Sequence, residues 1–325
     1  MDLQELGKTG LRVSRIGLGL AAVGRPAYIN VGRDEDLGDD RTIDALRRRT
    51  HELLDSATTA GIRYIDVARS YGLAESFLGS WLERLAPGAP APTIGSKWGY
   101  TYVGDWRMDA EVHEIKDHSL AAFRRQLAES LAILGDRLAL YQVHSATLES
   151  GVLDDRQLLA ELAALPERGI VAGLSVSGPH QAEVVERALA VRIDGRSPFG
   201  SVQATWNVLE PSAGVALALA HDAGWGVIVK EALANGRLAR RESCPSALAA
   251  IADRHGVAPD AVAIAAVLAQ PWADVALSGA ATVAQLASNV AALSVELDPR
   301  ELAELAALRE PADAYWAARA ARAWK

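Results

Sequence analysis

The chain has 325 residues, half of them hydrophobic, and a formal net charge of −8. That acidic balance argues against nucleic acid, whose recognition needs a basic stripe to neutralise phosphates. One cysteine, Cys244, excludes an intrachain disulfide framework and suits a reducing compartment; no signal peptide and no apolar run of about 20 residues opens a route to export or membrane. The expectation is a soluble cytoplasmic protein forming one domain over residues 1–325.

The first element is a hairpin over residues 3–14, with Lys8-Thr9-Gly10 at its turn. Apolar runs then alternate with helix-like stretches. The strands predicted are Arg15–Leu20, Arg63–Val67, Thr93–Lys97, Leu138–His144, Val171–Ser175, Ser201–Ala204, Gly226–Val229 and Asp274–Leu277. Between them the pattern predicts helices at Arg47–Ala60, Ala74–Leu85, Leu120–Leu134, Arg156–Leu165, Gln181–Ala190 and Ala213–Ala223. A helix pair spans Pro245–Gln270, and a last helix Val283–Leu293 opens on a capping box, Thr282-x-x-Gln285. Gly61, Gly135, Gly169 and Gly224 stand where helix C-termini need a left-handed residue. The strands are continuous apolar runs, as in a parallel sheet covered by helices. Eight such units fit an α/β fold of the (β/α)8 TIM-barrel type with an N-terminal β-hairpin. A doubly wound open sheet is the competing reading.

Two long connections, Arg25–Asp44 and Trp98–Ser119, fall at the C-terminal rim of such a barrel, where loops shape pockets. Trp98 and Tyr100 are substrate-pocket candidates on the second. The tail, 294–325, carries aromatics that fold over one end of the barrel or pack on its side.

Four chemistry-bearing residues sit where strands end: Asp66, Tyr71, Lys97 and His144. Each alone reads equally as a cap, a loop aromatic or a solvated cation; their common position at three successive strand ends gives the functional reading. An ammonium beside a phenol favours the phenolate and lowers its pKa. Lys97 supplies that charge, Asp66 holds Lys97, and His144 hydrogen-bonds the substrate oxygen. Such a site donates a proton to an oxygen as negative charge builds there, which suits carbonyl reduction.

Other motifs carry less. Gly17-Leu-Gly19-Leu-Ala-Ala22 matches a dinucleotide fingerprint but runs into a charged loop rather than a helix. The seven histidines show no metal-ligand spacing, so no metal is expected.

Over nearly the whole chain, from Leu6-Gly7-Lys8-Thr9-Gly10-Leu11 to about Leu293, the sequence resembles the aldo-keto reductase superfamily. Asp66-Val-Ala-Arg-Ser-Tyr71-Gly72-x-x-Glu75, Ser96-Lys97 and Leu140-Tyr141-Gln142-Val143-His144 carry the likeness, with Gly173-Leu-Ser175, Val202-Gln203-x-x-Trp206-Asn207 and Ser278-Gly279…Gln285-Leu286-x-x-Asn289 after them. The resemblance implies an NAD(P)-dependent oxidoreductase interconverting a carbonyl (aldehyde, ketone or sugar) and an alcohol, with Tyr71 as general acid or base. It implies Lys97 and Asp66 as tuners of Tyr71, and His144 as the residue orienting the carbonyl. It places Ser175 and Gln203 on the nicotinamide carboxamide, Asn289 near the adenine, and Gly279 and Gln285 along the cofactor. The hairpin is then the barrel floor.

The chain departs from the family pattern in three places. Val176 stands where Asn is usual, so one carboxamide contact is lost or passes to Ser177. Val229-Lys230-Glu231-Ala232-Leu233 replaces an aromatic followed by Ser-Pro-Leu, so the ring that stacks on nicotinamide is missing unless Trp206 or another aromatic substitutes; Lys230 becomes a candidate for the pyrophosphate. Between Gly279 and Asn289 there is no basic residue for a 2′-phosphate, which leaves NADP(H) and NAD(H) both open. The rival functions are a nicotinamide-binding regulatory subunit with little turnover, and a barrel hydrolase or isomerase using Asp66 as base. Substrate identity and oligomeric state are not encoded legibly.

Overall fold

A computed structural model describes residues 1–86, 88 and 90–324; Lys325, the last residue of the tail, lies outside them. Strands β1 (Leu3–Glu5) and β2 (Arg12–Ser14) pair antiparallel, with Leu3 opposite Ser14. Gly7 in their turn has φ 53°, and a Cβ there would lie 2.4 Å from the Gly226 backbone nitrogen. Handedness and close approach both demand glycine at this point. The hairpin thereby presses Leu6, fully buried, into the base of the molecule beside Val13, Tyr64, Leu140, Ile228 and Val275.

The chain continues through β3 (Ile16–Gly19), β4 (Tyr64–Asp66), β5 (Thr93–Trp98), β6 (Tyr100–Tyr102), β7 (Glu114–Lys116), β8 (Leu138–Ala146), β9 (Val171–Val176), β10 (Ser201–Thr205), β11 (Gly226–Lys230) and β12 (Val275–Ser278). Eight of these close a barrel in the order β10-β11-β12-β3-β4-β5-β8-β9. Every neighbour is parallel, and β12 pairs with β3 through Ala276 opposite Ile16 and Leu277 opposite Gly17. That last pairing decides between the two sheet readings, because an open sheet has two free edges and this one has none. Gly17 makes the seam possible: a Cβ there would meet Tyr64 and Leu277 at 2.8 and 2.9 Å. The glycines of the fingerprint-like run serve this packing, and turns rather than a helix come after them.

Helices α1 (Arg33–Leu37), α2 (Ile43–Thr59), α3 (Ala74–Leu82), α4 (Leu120–Leu134), α5 (Arg156–Ala164), α6 (Gln181–Ala190), α7 (Gly214–Asp222), α8 (Ser246–His255), α9 (Pro259–Leu268), α10 (Val283–Val290), α11 (Pro299–Ala306) and α12 (Ala312–Ala320) complete the described residues. The four predicted cap glycines, Gly61, Gly135, Gly169 and Gly224, all have positive φ. Helix α2 begins a turn earlier than the periodicity predicts, because Thr42 caps it by accepting from the Ala45 N–H. The capping box at Thr282 is half formed: Thr282 accepts from Gln285 N, but the Gln285 side chain turns to Ala281 N instead of the cap residue.

Three features have no counterpart in the sequence pattern, the first being α1 within the Arg25–Asp44 connection. The Trp98–Ser119 connection folds into the β6–β7 ribbon, with Tyr100 opposite Lys116. The tail forms α11, opened by a reciprocal capping box between Asp298 and Glu301, and α12, which carries Arg319 to the rim. Among the described residues no helix is long and apolar enough to cross a membrane.

Candidate active site

The barrel interior grades from apolar at the floor to polar at the rim. Tyr64 and Asp66 lie two apart on β4 and face the same way, as the period of a strand requires; Lys97 on β5 and Gln203 on β10 converge on the same point. The Lys97 ammonium is salt-bridged to Asp66 and donates to the Val67 carbonyl at 2.9 Å. Gln203 Nε2 donates to the other Asp66 oxygen at 2.7 Å, and the Tyr64 hydroxyl approaches it at 3.4 Å. Asp66 thus has both oxygens engaged below the rim. Three donors on its two oxygens fix it as the partner of Lys97, which disfavours the base role of the hydrolase reading.

Tyr71 lies above this pair. Lys97 Nζ is 4.8 Å from the Tyr71 ring centroid, and the His144 ring packs edge-on to Tyr71 at 5.5 Å. Asp66, Tyr71, Lys97 and His144 therefore converge, and β4, β5 and β8 are adjacent in the barrel. Behind them Glu75, buried, accepts from Ser96 Oγ at 2.6 Å and Ser130 Oγ at 2.8 Å, locking α3 and α4 to β5.

The electrostatics depart from the sequence expectation at one point. The Tyr71 hydroxyl is held well above its ordinary value of 10, first by burial and then by the Asp66 charge, with Arg25 opposing. Burial is the dominant cause, and the Asp66 charge adds to it even though Asp66 is paired with Lys97. Tyr71 is consequently protonated, the state an acid must start from. His144 is pushed well below 6.5 by burial and by Lys97, Lys230 and Arg25, so its ring is neutral. Ser70 Oγ lies 3.4 Å from His144 Nδ1, and the strand is bulged just beyond, with Ser145 at φ 50°. Such bulges re-aim side chains at functional rims.

One cavity of about 740 Å³ joins this cluster to the far side of the barrel mouth. Asp66, Tyr71, Tyr100, His144 and Gln203 line one end; Lys230, Gly279, Gln285 and Asn289 line its continuation. Three candidates fall outside its wall: Lys97, fully buried beneath it on Asp66, and Trp98 and Ser175. Trp98 is fully buried, its ring packed on Phe123 at 5.0 Å and on His118 at 5.7 Å. Ser175 is fully buried in register with Gln203, its hydroxyl without a partner among the described residues. Ser177 reaches the wall instead, bonded to Ser145 at 3.2 Å and to the Lys230 ammonium at 2.9 Å. Trp206 does not replace the missing stacking ring: it packs against Trp272 at 5.7 Å and is not part of the wall.

Lys230 also donates to Thr205 at 3.0 Å, and burial pushes its pKa down to about 8. The neighbouring Glu231, at φ 55°, forms a bidentate pair with Arg319 of α12. Further residues unmarked by any sequence motif complete the substrate end. Arg25, 2% exposed, donates to Ser70 O at 2.8 Å and to Glu114 at 2.6 Å, and lies between the rings of Tyr28, Tyr71 and Trp324 at 4.9, 5.3 and 4.6 Å. Trp324 stacks on His113 at 4.4 Å, so the tail walls the mouth. The only advance signal was the clustering of aromatics in the loops and tail.

The cavity's volume, its polar end beside a neutral imidazole and a protonated phenol, and the open space beside Gly279 fit a nicotinamide dinucleotide. Among the described residues there is no cluster of three or more His, Cys, Asp or Glu able to hold a metal.

Comparison with known proteins gives a consistent result. An uncharacterized oxidoreductase of Bacillus subtilis, YrpG, is 26% identical over 326 aligned residues, which cover 92% of this chain and 93% of its own. The protein Tas of Escherichia coli is 26% identical, covering 95% and 98%. A putative aldo-keto reductase from Pseudomonas aeruginosa superposes with a TM-score of 0.65 at 27% identity, over 90% of this chain and 95% of that one. An aldo-keto reductase from Bacillus halodurans in its holo form shares the fold, with a TM-score of 0.69 at 23% identity over 96% and 97%. The model of the aldo/keto reductase family matches residues 16–310, nearly the whole barrel, and the chain belongs to that family.

Proposed function

We propose that this protein is an NAD(P)-dependent oxidoreductase that interconverts a small carbonyl compound and its alcohol, with Tyr71 as the proton donor. The observation that carries the reading is the convergence of Tyr71, His144 and the Lys97–Asp66 pair at one end of a cavity of about 740 Å³. Family membership supports the cofactor class.

The bound nicotinamide supplies the hydride. The protein's own groups handle the oxygen. A substrate carbonyl oxygen placed between Tyr71 and His144 meets a phenolic O–H and a neutral imidazole. Negative charge developing on that oxygen draws the Tyr71 proton, and the resulting phenolate is stabilised by Lys97, whose charge is already positioned. Burial of Lys97 and Asp66 keeps water from screening this interaction. In the reverse direction the same phenolate receives the alcohol proton. Lys230 and Ser177 face the cofactor's course and would hold an anionic or amide group of it, in place of the missing ring and the missing Asn.

The test is Tyr71→Phe with cofactor binding measured separately by fluorescence titration. Retained binding with turnover reduced about 10²–10⁴-fold, the usual worth of a positioned acid, is the expected result. Turnover close to wild type on a panel of aldehydes, ketones and sugars would remove Tyr71 from the role.

A further inference from the structure

The end of the cavity away from Tyr71 carries a carboxyl group in its wall. Asp260, 5% exposed at the start of α9, forms part of the wall there with Gln285, Ser288 and Asn289. Its carboxylate accepts from Asn289 Nδ2 at 2.7 Å, Ser288 Oγ at 2.8 Å and the Ala261 N–H at 3.0 Å. Asn289 is fixed from the other side by Ser278, whose hydroxyl donates to it at 2.6 Å. The carboxylate is thus a built part of this wall and not a loose surface charge.

Two cations of the cavity wall are committed elsewhere. Arg240 is ion-paired with both Glu35 and Asp36. The Arg33 guanidinium is held by the carbonyl oxygens of Ala22 and Pro26. Some backbone amides around the start of α10 are in use: Ala281 N donates to the Gln285 side chain, Gln285 N to Thr282, and Ala280 N to Ser278. A 2′-phosphate is held best by a fixed cation, whereas a ribose with free hydroxyls donates well to a carboxylate.

From this we infer that the site selects NAD(H) over NADP(H), with Asp260 as the discriminating charge. The inference rests on the nicotinamide reading above and deepens it. Like charge facing a 2′-phosphate in a half-enclosed wall disfavours the phosphorylated cofactor, while the Asp260 oxygens accept from a free ribose hydroxyl.

Calorimetric titration of the full chain with NADH, NADPH, 5′-AMP and 2′,5′-ADP tests it without any reliance on turnover. NADH is expected to bind about tenfold or more tightly than NADPH, and 5′-AMP more tightly than 2′,5′-ADP. Asp260→Asn removes the charge at nearly constant shape and should narrow the NADH/NADPH ratio about tenfold. Ser288→Lys, at a partly exposed position beside Asp260, should narrow it in the same direction and serves if the Asn variant fails to fold. NADPH binding as tightly as NADH, or a ratio that neither variant moves, would overturn the selection by Asp260 alone. Binding of neither dinucleotide would overturn the nicotinamide reading, and the inference with it.

Discussion

Lys97 and Asp66 form a salt bridge on adjacent strands directly below the Tyr71 ring, with the lysine side chain fully buried and the aspartate 3% exposed. The relationship is electrostatic as well as architectural. A buried lysine alone would tend to lose its proton, and a buried aspartate alone would tend to gain one. Together they hold both charges in place, and the phenol above remains protonated until a substrate oxygen draws on it.

Removing one member should therefore cost stability before it costs chemistry. Lys97→Met leaves Asp66 buried with only Gln203 and Tyr64 to satisfy it. The expected loss is about 3–5 kcal/mol in denaturant unfolding, the usual penalty for a buried charge stripped of its partner. A smaller loss in Lys97→Met/Asp66→Asn than in Lys97→Met alone would identify the uncompensated carboxylate as the cause.

Cofactor affinity should depend on alkaline pH through Lys230. Its free-state pKa is pushed down to about 8, so the ammonium is present below that value and is lost above it. An anionic ligand stabilises the charged form, raising the pKa in the complex. Binding is then expected to weaken as pH rises through about 8, because protonation must accompany it. Lys230→Met should bind more weakly at neutral pH and show a flat profile in the same titration.

Acid should destabilise the fold through two histidines. His144 is pushed well below 6.5, and His118, whose Nε2 bonds the His144 carbonyl at 2.8 Å, is pushed down to about 4. Both stay neutral when folded, whereas the unfolded chain takes up their protons below about 6.5. The unfolded state binds more protons across that window, so stability is full above it and falls as pH drops from about 6.5 towards 4. His118→Phe should make the decline shallower in denaturant melts. The same shift predicts that the pH profile of kcat/KM shows no limb from His144 near neutrality.

Much of this molecule was legible in its sequence, for local reasons. The eight barrel strands are apolar runs bounded by turns, and the cap glycines mark helix ends by a conformational need that no other residue meets cheaply. The catalytic candidates are legible because each stands at the end of its strand. What escaped is held by contacts between distant segments. The β6–β7 ribbon and α1 are too short to form on propensity alone. Arg25 meets Trp324 across almost the whole chain, and Glu231 owes its partner to the tail. Trp98 reads as a pocket residue because it opens the long rim connection, but it ends β5 with its side chain turned to the other face from Lys97, and it packs against Phe123. The Tyr71 expectation counted the charge on Lys97 and left out burial, the largest cause of the shift, and the Asp66 charge beside it.

The hairpin plug makes the rim the barrel's doorway. With Leu6 stopping the base, any ligand of the cavity has to come and go through the opening beneath the tail.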